Sequence, residues 1–238
     1  MGDGRIRTHI EGFDERMEGG IPAGSTVLVV GEPGTMKSSI AFNTLYNNAM
    51  KDGKKGLYIT LEQGASSLSR QMAGFGWDLR AASDKVEIVD IGLIRKRLTQ
   101  LKDQSWIQVF KMYAKSLKES SGYDIMVVDS LPVLELLAKF REPREEIFHL
   151  FEWLRDLGVT TLLISEMNPD SLAYAKHDED FLSDGILYLR MREMGGVSVQ
   201  RHLRCVKMRA TNHSTDYFTL LFDKGQFKAT RVIGDGRM

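Results

Sequence analysis

A nine-residue segment, GEPGTMKSS at positions 31–39, separates an apolar run at 25–30 from a helix-like stretch at 38–50. Strand, glycine-rich loop and helix in that order make a phosphate-binding unit, which confines the chain to α/β folds built on a largely parallel sheet. The template G-x-x-x-x-G-K-[ST] asks for glycine at 31 and 36, lysine at 37 and a hydroxyl at 38, and one glycine is missing, because position 36 is Met36. In such a unit the main chain from Gly31 through Glu32, Pro33, Gly34, Thr35 and Met36 to Ser39 turns its amides toward a polyphosphate. The following helix adds its positive end. Lys37 supplies an ammonium group and Ser38 a hydroxyl for Mg²⁺. If the backbone at 36 needs positive φ, a side chain there costs about 1–2 kcal/mol, which weakens binding without abolishing it.

The chain is long enough for a full core: 238 residues, 42% of them apolar, suffice for one large domain spanning 1–238. Lys plus Arg equals Asp plus Glu at 32 each, so no global field gathers nucleic acid or anionic lipid. The single cysteine, Cys205, sits in a strand-like run and reads as a packed thiol in a reducing compartment. No run approaches the roughly 18 apolar residues of a membrane span, and the opening residues lack a secretory apolar segment. The expectation is a soluble cytoplasmic protein with no membrane partner.

Periodicity predicts strands at 25–30, 56–61, 85–91, 125–129 and 160–164, separated by helices at 37–52, 66–75, 104–120 and 143–157. The last helix is the best marked, with Pro143 and two glutamates in its first turn and Gly158 just past its end. Alternation of this kind implies a mainly parallel central sheet flanked by helices. From Gly185 the pattern changes to strand-like runs at 186–193, 197–209 and 217–231, with turns at Gly195-Gly196 and 223–225. These should extend the sheet as antiparallel hairpins.

Ligands of open parallel sheets gather at the carboxyl ends of the strands, where this reading puts Glu62, Asp129 and Ser165. Asp129 closes an apolar strand and suits the Mg²⁺ shell. Glu62 suits a base for the water that attacks a γ-phosphate. Ser165 is either a γ-phosphate sensor or a plain strand-end serine. Lys207 and Arg209 share one face of a late strand. They are either a charged solvent face or, if subunits form a ring, cations that enter the neighbour's site as arginine fingers do.

Together these stretches resemble the KaiC-like group of RecA-superfamily ATPases. The similarity runs over essentially the whole chain: Ile10-Glu-Gly-Phe-Asp14 with 19–24, the loop at 31–38, Tyr58-Ile-Thr-Leu-Glu62, Phe75-Gly-Trp-Asp78, Val128-Asp-Ser130, Ser183-Asp184 and 207–213. The resemblance implies a RecA-type core, ATP with Mg²⁺, and homo-oligomers, often hexameric rings, with nucleotide between subunits. It implies Glu62 as catalytic glutamate, Lys207 and Arg209 acting across the interface, and His213 near the neighbour's nucleotide. Met36, Gln63 in place of a frequent second glutamate, and one ATPase unit where the family's clock members have two in tandem all point to slow turnover or a binding-dominated switch. No hydroxyl pair precedes Ser183, so autophosphorylation is not expected.

The leading reading is an ATP-binding, slowly hydrolysing protein that couples nucleotide state to self-assembly or partner binding. Its rivals are a non-hydrolysing assembly factor and a recombinase paralogue. A recombinase binds DNA through loops here placed at 131–146 and 168–183, and both lean acidic, opposite to the sign phosphate neutralisation needs. Residues 93–118 are the one basic region, with Arg95, Lys96, Arg97, Lys102, Lys111, Lys115 and Lys118 against Asp103. A solvated helix face is favoured there over a nucleic-acid or acidic-partner dock.

Overall fold

The computed structural model describes residues 4–97, 105–167 and 173–232. It opens with short strands β1 (Arg5–Ile6), β2 (Ile10–Glu11) and β3 (Ile21–Pro22) around a 3-10 turn at Asp14–Met17. The alternating part follows as β4 (Thr26–Gly31), α1 (Lys37–Lys51), β5 (Gly56–Thr60), α2 (Ala65–Gly74), β6 (Val86–Asp90), α3 (Ile91–Arg97), α4 (Trp106–Ser121), β7 (Ile125–Asp129), α5 (Leu131–Ala138), α6 (Pro143–Leu157) and β8 (Thr160–Glu166). After a short helix α7 (Glu179–Leu182) come β9 (Gly185–Met194), β10 (Ser198–Met208), β11 (Phe218–Asp223) and β12 (Gln226–Arg231).

Ten strands form one sheet in the order β2-β12-β11-β10-β9-β4-β8-β7-β5-β6. From β6 to β9 every neighbour runs parallel, and the antiparallel extension begins only between β9 and β10. Strand β9 thus joins the parallel half through β4 and opens the antiparallel extension through its hairpin with β10, as the late hairpin pattern predicts. The run at 217–231 is two strands, folded back at the Asp223–Gln226 pair.

Strand parity sorts the core into two layers. Val27, Val29, Tyr58, Val127, Leu162 and Ile164 face α1, whereas Leu28, Val30, Ile59, Val128 and Leu163 face the side of α5 and α6. Both sets are essentially free of solvent, as strands covered on two faces must be, and each large apolar side chain so buried contributes about 1.5–3 kcal/mol. Helix α1 is buried well beyond an apolar stripe. Asn43 Nδ2 donates to Thr8 O at 2.8 Å and Asn48 Nδ2 to Arg7 O at 2.7 Å, so polar positions hold the N-terminal segment against the helix.

Two sequence expectations are corrected. Residues 131–138, the first part of the loop placed at 131–146, are α5; the run LPVLELLA is apolar on nearly every side and gave no helical period, and the helix is packed partly against the layer of α6. Residue Ile91, expected as the end of a strand, opens α3, which runs to Arg97 where no element was expected. Within the basic stretch, the side chains of Arg95, Lys96 and Arg97, together with Lys102, lie outside the described residues, as do 168–172 of the second acidic loop. The described cations of that stretch are engaged at home. Lys111 sits 5.6 Å over the Trp153 ring, Lys118 donates to Tyr123 O at 2.6 Å, and Lys115 faces Glu119 at 4.0 Å. Cys205 is fully buried and its thiol is pushed up to about 12 by burial, as a packed thiol should be. No helix among the described residues is long and apolar enough to cross a membrane.

Candidate functional site

The loop between β4 and α1 sits where the main chain cannot move. A Cβ at Gly31 would stand 2.2 Å from the Leu189 carbonyl oxygen on β9, a backbone atom that does not give way. Met36, at the missing glycine, has φ 75° and ψ 28°, so the left-handed geometry the template reserves for glycine is kept by a side-chain-bearing residue. Its side chain packs partly against the layer beneath α1, which offsets some of the conformational cost.

Lys37 folds back over the loop, donating to Gly31 O at 3.0 Å and Glu32 O at 2.9 Å. Burial pushes its ammonium below the ordinary value, and Glu166, Asp129, Glu62 and Glu32, in that order, pull it back up. Lys37 thus stands inside a ring of carboxylates. Asp129 is buried, which raises its carboxyl, while hydrogen bonds from Tyr58 and Ser38 lower it. The Ser38 hydroxyl and the Asp129 carboxylate line the same cavity, a pair of hard oxygen groups of the kind that holds Mg²⁺. Across the cleft the Ser130 hydroxyl donates to Glu62 Oε1. Gln63 turns elsewhere, its Nε2 donating to Ser67 Oγ at 2.9 Å.

These groups line a cavity of about 770 Å³, with Met36, Lys37, Ser38, Ser39, Glu62 and Asp129 among its walls. Gly34 contributes main chain at the rim, whereas Gly31, Glu32, Pro33 and Thr35 form the base of the loop; Thr35 is buried, its hydroxyl on Glu32 O at 2.8 Å. The wall also draws on residues that the sequence reading did not assign to the site, among them Gln71, Phe75, Glu166, Arg201 and Phe222. Arg201 Nε reaches Gly34 O at 3.3 Å, so the antiparallel extension touches the loop directly.

Ser165 is not in this cavity. Strand β8 runs to Glu166, and parity turns Ile164 and Glu166 toward α1 while Ser165 faces a second hollow with Pro132, Glu135 and His177. A count of two along the strand from Leu162 would have chosen Glu166. Lys207 and Arg209 are also elsewhere, bound to their own chain. Lys207 Nζ donates to Asp180 O at 2.8 Å and Ser183 O at 2.7 Å, and Arg209 pairs with Asp184 at 3.0 Å and with Phe181 O at 2.9 Å. Burial and Arg209 both push the Lys207 ammonium down. His213 Nδ1 donates to Thr211 O at 3.2 Å, and its buried Nε2 has no partner among the described residues.

A parallel sheet whose first loop has the phosphate-binding form, with a lysine, a serine and an aspartate beside it and a glutamate at the next strand end, is the arrangement of nucleotide-binding ATPases with a RecA-like fold. The comparisons make that class more definite. The model of the family described as "ATPase: KaiC" matches residues 6–226, and the chain belongs to that family. A KaiC-like protein from the hyperthermophilic archaeon Pyrococcus horikoshii OT3 has the same fold, with a TM-score of 0.82 at 30% identity over 95% of this chain and 98% of its own. A UPF0273 protein of Aeropyrum pernix is 30% identical over 88% of this chain and 87% of its own length. The circadian clock oscillator protein KaiC of Rippkaea orientalis is 31% identical over 98% of this chain, and that match covers 43% of the relative. The chain spans less than half the length of the clock relatives it matches.

Proposed function

We propose that this protein binds ATP with Mg²⁺, hydrolyses it slowly, and uses nucleotide state to control assembly with copies of itself in a ring, hexameric in the fullest case. The observation that carries the reading is the pairing of Glu62 with Ser130 opposite Lys37. That pairing fixes a carboxylate at the cavity wall with its second oxygen free to take a proton from water. Lys37 meets the phosphates; burial pushes its ammonium below the ordinary value, and the surrounding carboxylates oppose that shift. The main chain of 31–36 and the first turn of α1 orient the triphosphate. Ser38 and Asp129 are the residues that would hold Mg²⁺, which neutralises charge on the β- and γ-oxygens when bound.

Lys207 and Arg209 take the part of cations acting on a neighbour's nucleotide, and His213, with an unpartnered ring nitrogen, joins them. Ser165 stays outside this assignment because its strand parity turns it to the other face. The left-handed Met36 adds about 1–2 kcal/mol to the cost of holding the loop in this geometry, which weakens its grip on nucleotide. No DNA role is proposed for 93–118, whose described cations already have partners.

Phosphate release measured with Mg-ATP tests the reading. Glu62→Gln should lower turnover by about 10²-fold or more while ATP still binds, as loss of a positioned base does. Lys37→Ala should abolish both binding and turnover. Tight binding with no turnover in the unaltered protein would replace this reading with that of a nucleotide-dependent assembly factor.

A further inference from the structure

The antiparallel extension carries a second charged hollow that the nucleotide cavity does not include. On one face of the sheet, β9 presents Arg190 and Arg192 and β10 presents His202 and Arg204, with His202 directly opposite Arg190 and Gln200 opposite Arg192 in the ladder. Tyr217, at the entry to β11, lies beneath them, 3.6 Å from the Arg190 guanidinium carbon and 5.2 Å from that of Arg204. Arg190, Arg192, His202, Asp216, Tyr217 and Arg231 line a cavity of about 440 Å³, and none of these lines the nucleotide cavity.

The charges of this hollow are not balanced from within. Among the described residues no ion pair reaches Arg190, Arg192, Arg204 or Arg231. Among the described residues the buried Nε atoms of Arg190 and Arg204 have no acceptor, and Nδ1 of His202, a residue only 1% exposed, has no partner. Like charges on adjacent strands of one face repel, and buried donors without acceptors cost about 1–3 kcal/mol each. The ring of Tyr217 returns part of that through its π face, but it accepts no N–H in the plane of the guanidinium forks. Asp216 is the one carboxylate of the lining and stands beyond ion-pair distance of all four arginines.

We infer that this hollow on β9–β10–β11 is a binding site for a multiply charged phosphate-bearing anion, separate from the nucleotide site. Guanidinium groups on two strands and at the end of β12 offer several forks to one ligand. A phosphoryl group has three oxygens to meet them, whereas a single carboxylate fills one fork and leaves the others unpaired. His202 forms one wall: burial, then Arg190 and Arg192, push its ring below the ordinary histidine value, and Nε2, 3.4 Å from Gln200 Oε1, is the nitrogen placed to carry its proton.

Inorganic tripolyphosphate, free of any base or sugar, is the probe, and isothermal calorimetry on the Lys37→Ala chain silences the phosphate loop. Binding should persist in that chain and weaken about tenfold or more in the further double variant Arg190→Gln, Arg192→Gln. It should also weaken as salt rises from about 0.05 to 0.2 M. Should the double variant fold poorly, the ring nitrogen signals of His202 in the Lys37→Ala chain give the second readout: they should shift on titration with tripolyphosphate. A single-stranded oligonucleotide in a parallel titration tells whether the same phosphate chemistry is taken from a free oligophosphate or from a phosphodiester strand. Absence of any heat in the Lys37→Ala chain, or heat unaltered by the two arginine substitutions, overturns the inference. So does a rise in molecular mass with the His202 signals unmoved by probe, because a second copy's carboxylates then fill the hollow.

Discussion

Tyr58 donates its hydroxyl to Asp129 Oδ2 across 2.5 Å, joining the middle of β5 to the end of β7 beneath the phosphate loop. Both residues belong to the layer facing α1, and Tyr58 is fully buried, its own hydroxyl pushed well above the ordinary tyrosine value by burial and by Asp129. The bond therefore holds a carboxylate in place that α1 alone would leave free to turn. Tyr58→Phe is expected to destabilise the fold by about 1.5–3 kcal/mol, as loss of a hydrogen bond to a charged group does, read by urea denaturation. The same variant should need more Mg²⁺ for half-maximal nucleotide binding, because Asp129 loses the donor that lowers its carboxyl.

Ser130→Ala separates positioning from binding. With its hydroxyl gone, Glu62 swings freely at the cavity wall while the loop, Lys37 and Asp129 remain. Turnover should fall about tenfold with ATP affinity within about twofold of the unaltered protein. An equal loss in both quantities would mean that Ser130 touches the nucleotide itself.

Met36 gives a test of the backbone. Glycine at this left-handed position removes about 1 kcal/mol of strain, and the freedom glycine adds to the unfolded chain offsets it, so Met36→Gly should melt within about 1 kcal/mol of the parent. Met36→Val should melt lower than both, since a β-branched side chain tolerates positive φ least. A valine variant as stable as the methionine one would show that the loop relaxes out of the geometry described.

The hollow holding Ser165 carries a pH response. Burial first, then Glu179, push the Glu135 carboxyl up from 4.5 to about 7, against the pull of Lys176, and His177 stands 3.6 Å away. The folded chain thus holds a proton there that the unfolded chain has released. Stability falls as pH rises through the window from 4.5 to about 7 and stays low above it. Glu135→Gln should raise the unfolding free energy near about pH 8 by roughly 1 kcal/mol, allowing for solvent screening of a partly open site, and flatten the slope across that window. An unchanged pH profile in this variant would remove Glu135 as its source.

Much of this architecture is legible in residues alone, and the parts that are not share a cause. Helix α6 and strand β7 have the bounds that Pro143, Gly158 and the apolar run before Asp129 predict, because caps and continuous burial leave a local signature. Helix α5 left none, since an eight-residue run apolar on nearly all sides has no period to read. Within the site, the loop and Asp129 follow from spacing, but Glu166 and Arg201 do not. The first needs the true end of β8 before parity can be counted, and the second needs the sheet order that brings β10 beside β9 and β9 beside β4. Lys207 and Arg209 were visible as a pair, yet their own-chain partners at Asp180, Phe181, Ser183 and Asp184 come from a turn with no periodic pattern.

Arg201 on Gly34 has a bearing on how this protein can be cut. A polypeptide stopped after β8 would keep the glycine-rich turn, its lysine and every acidic group around it, yet it would lose Arg201 and Phe222 and leave the cleft open along a whole flank. The closing hairpins are structural jaws, and a fragment designed around the motif alone would be a hand without its thumb.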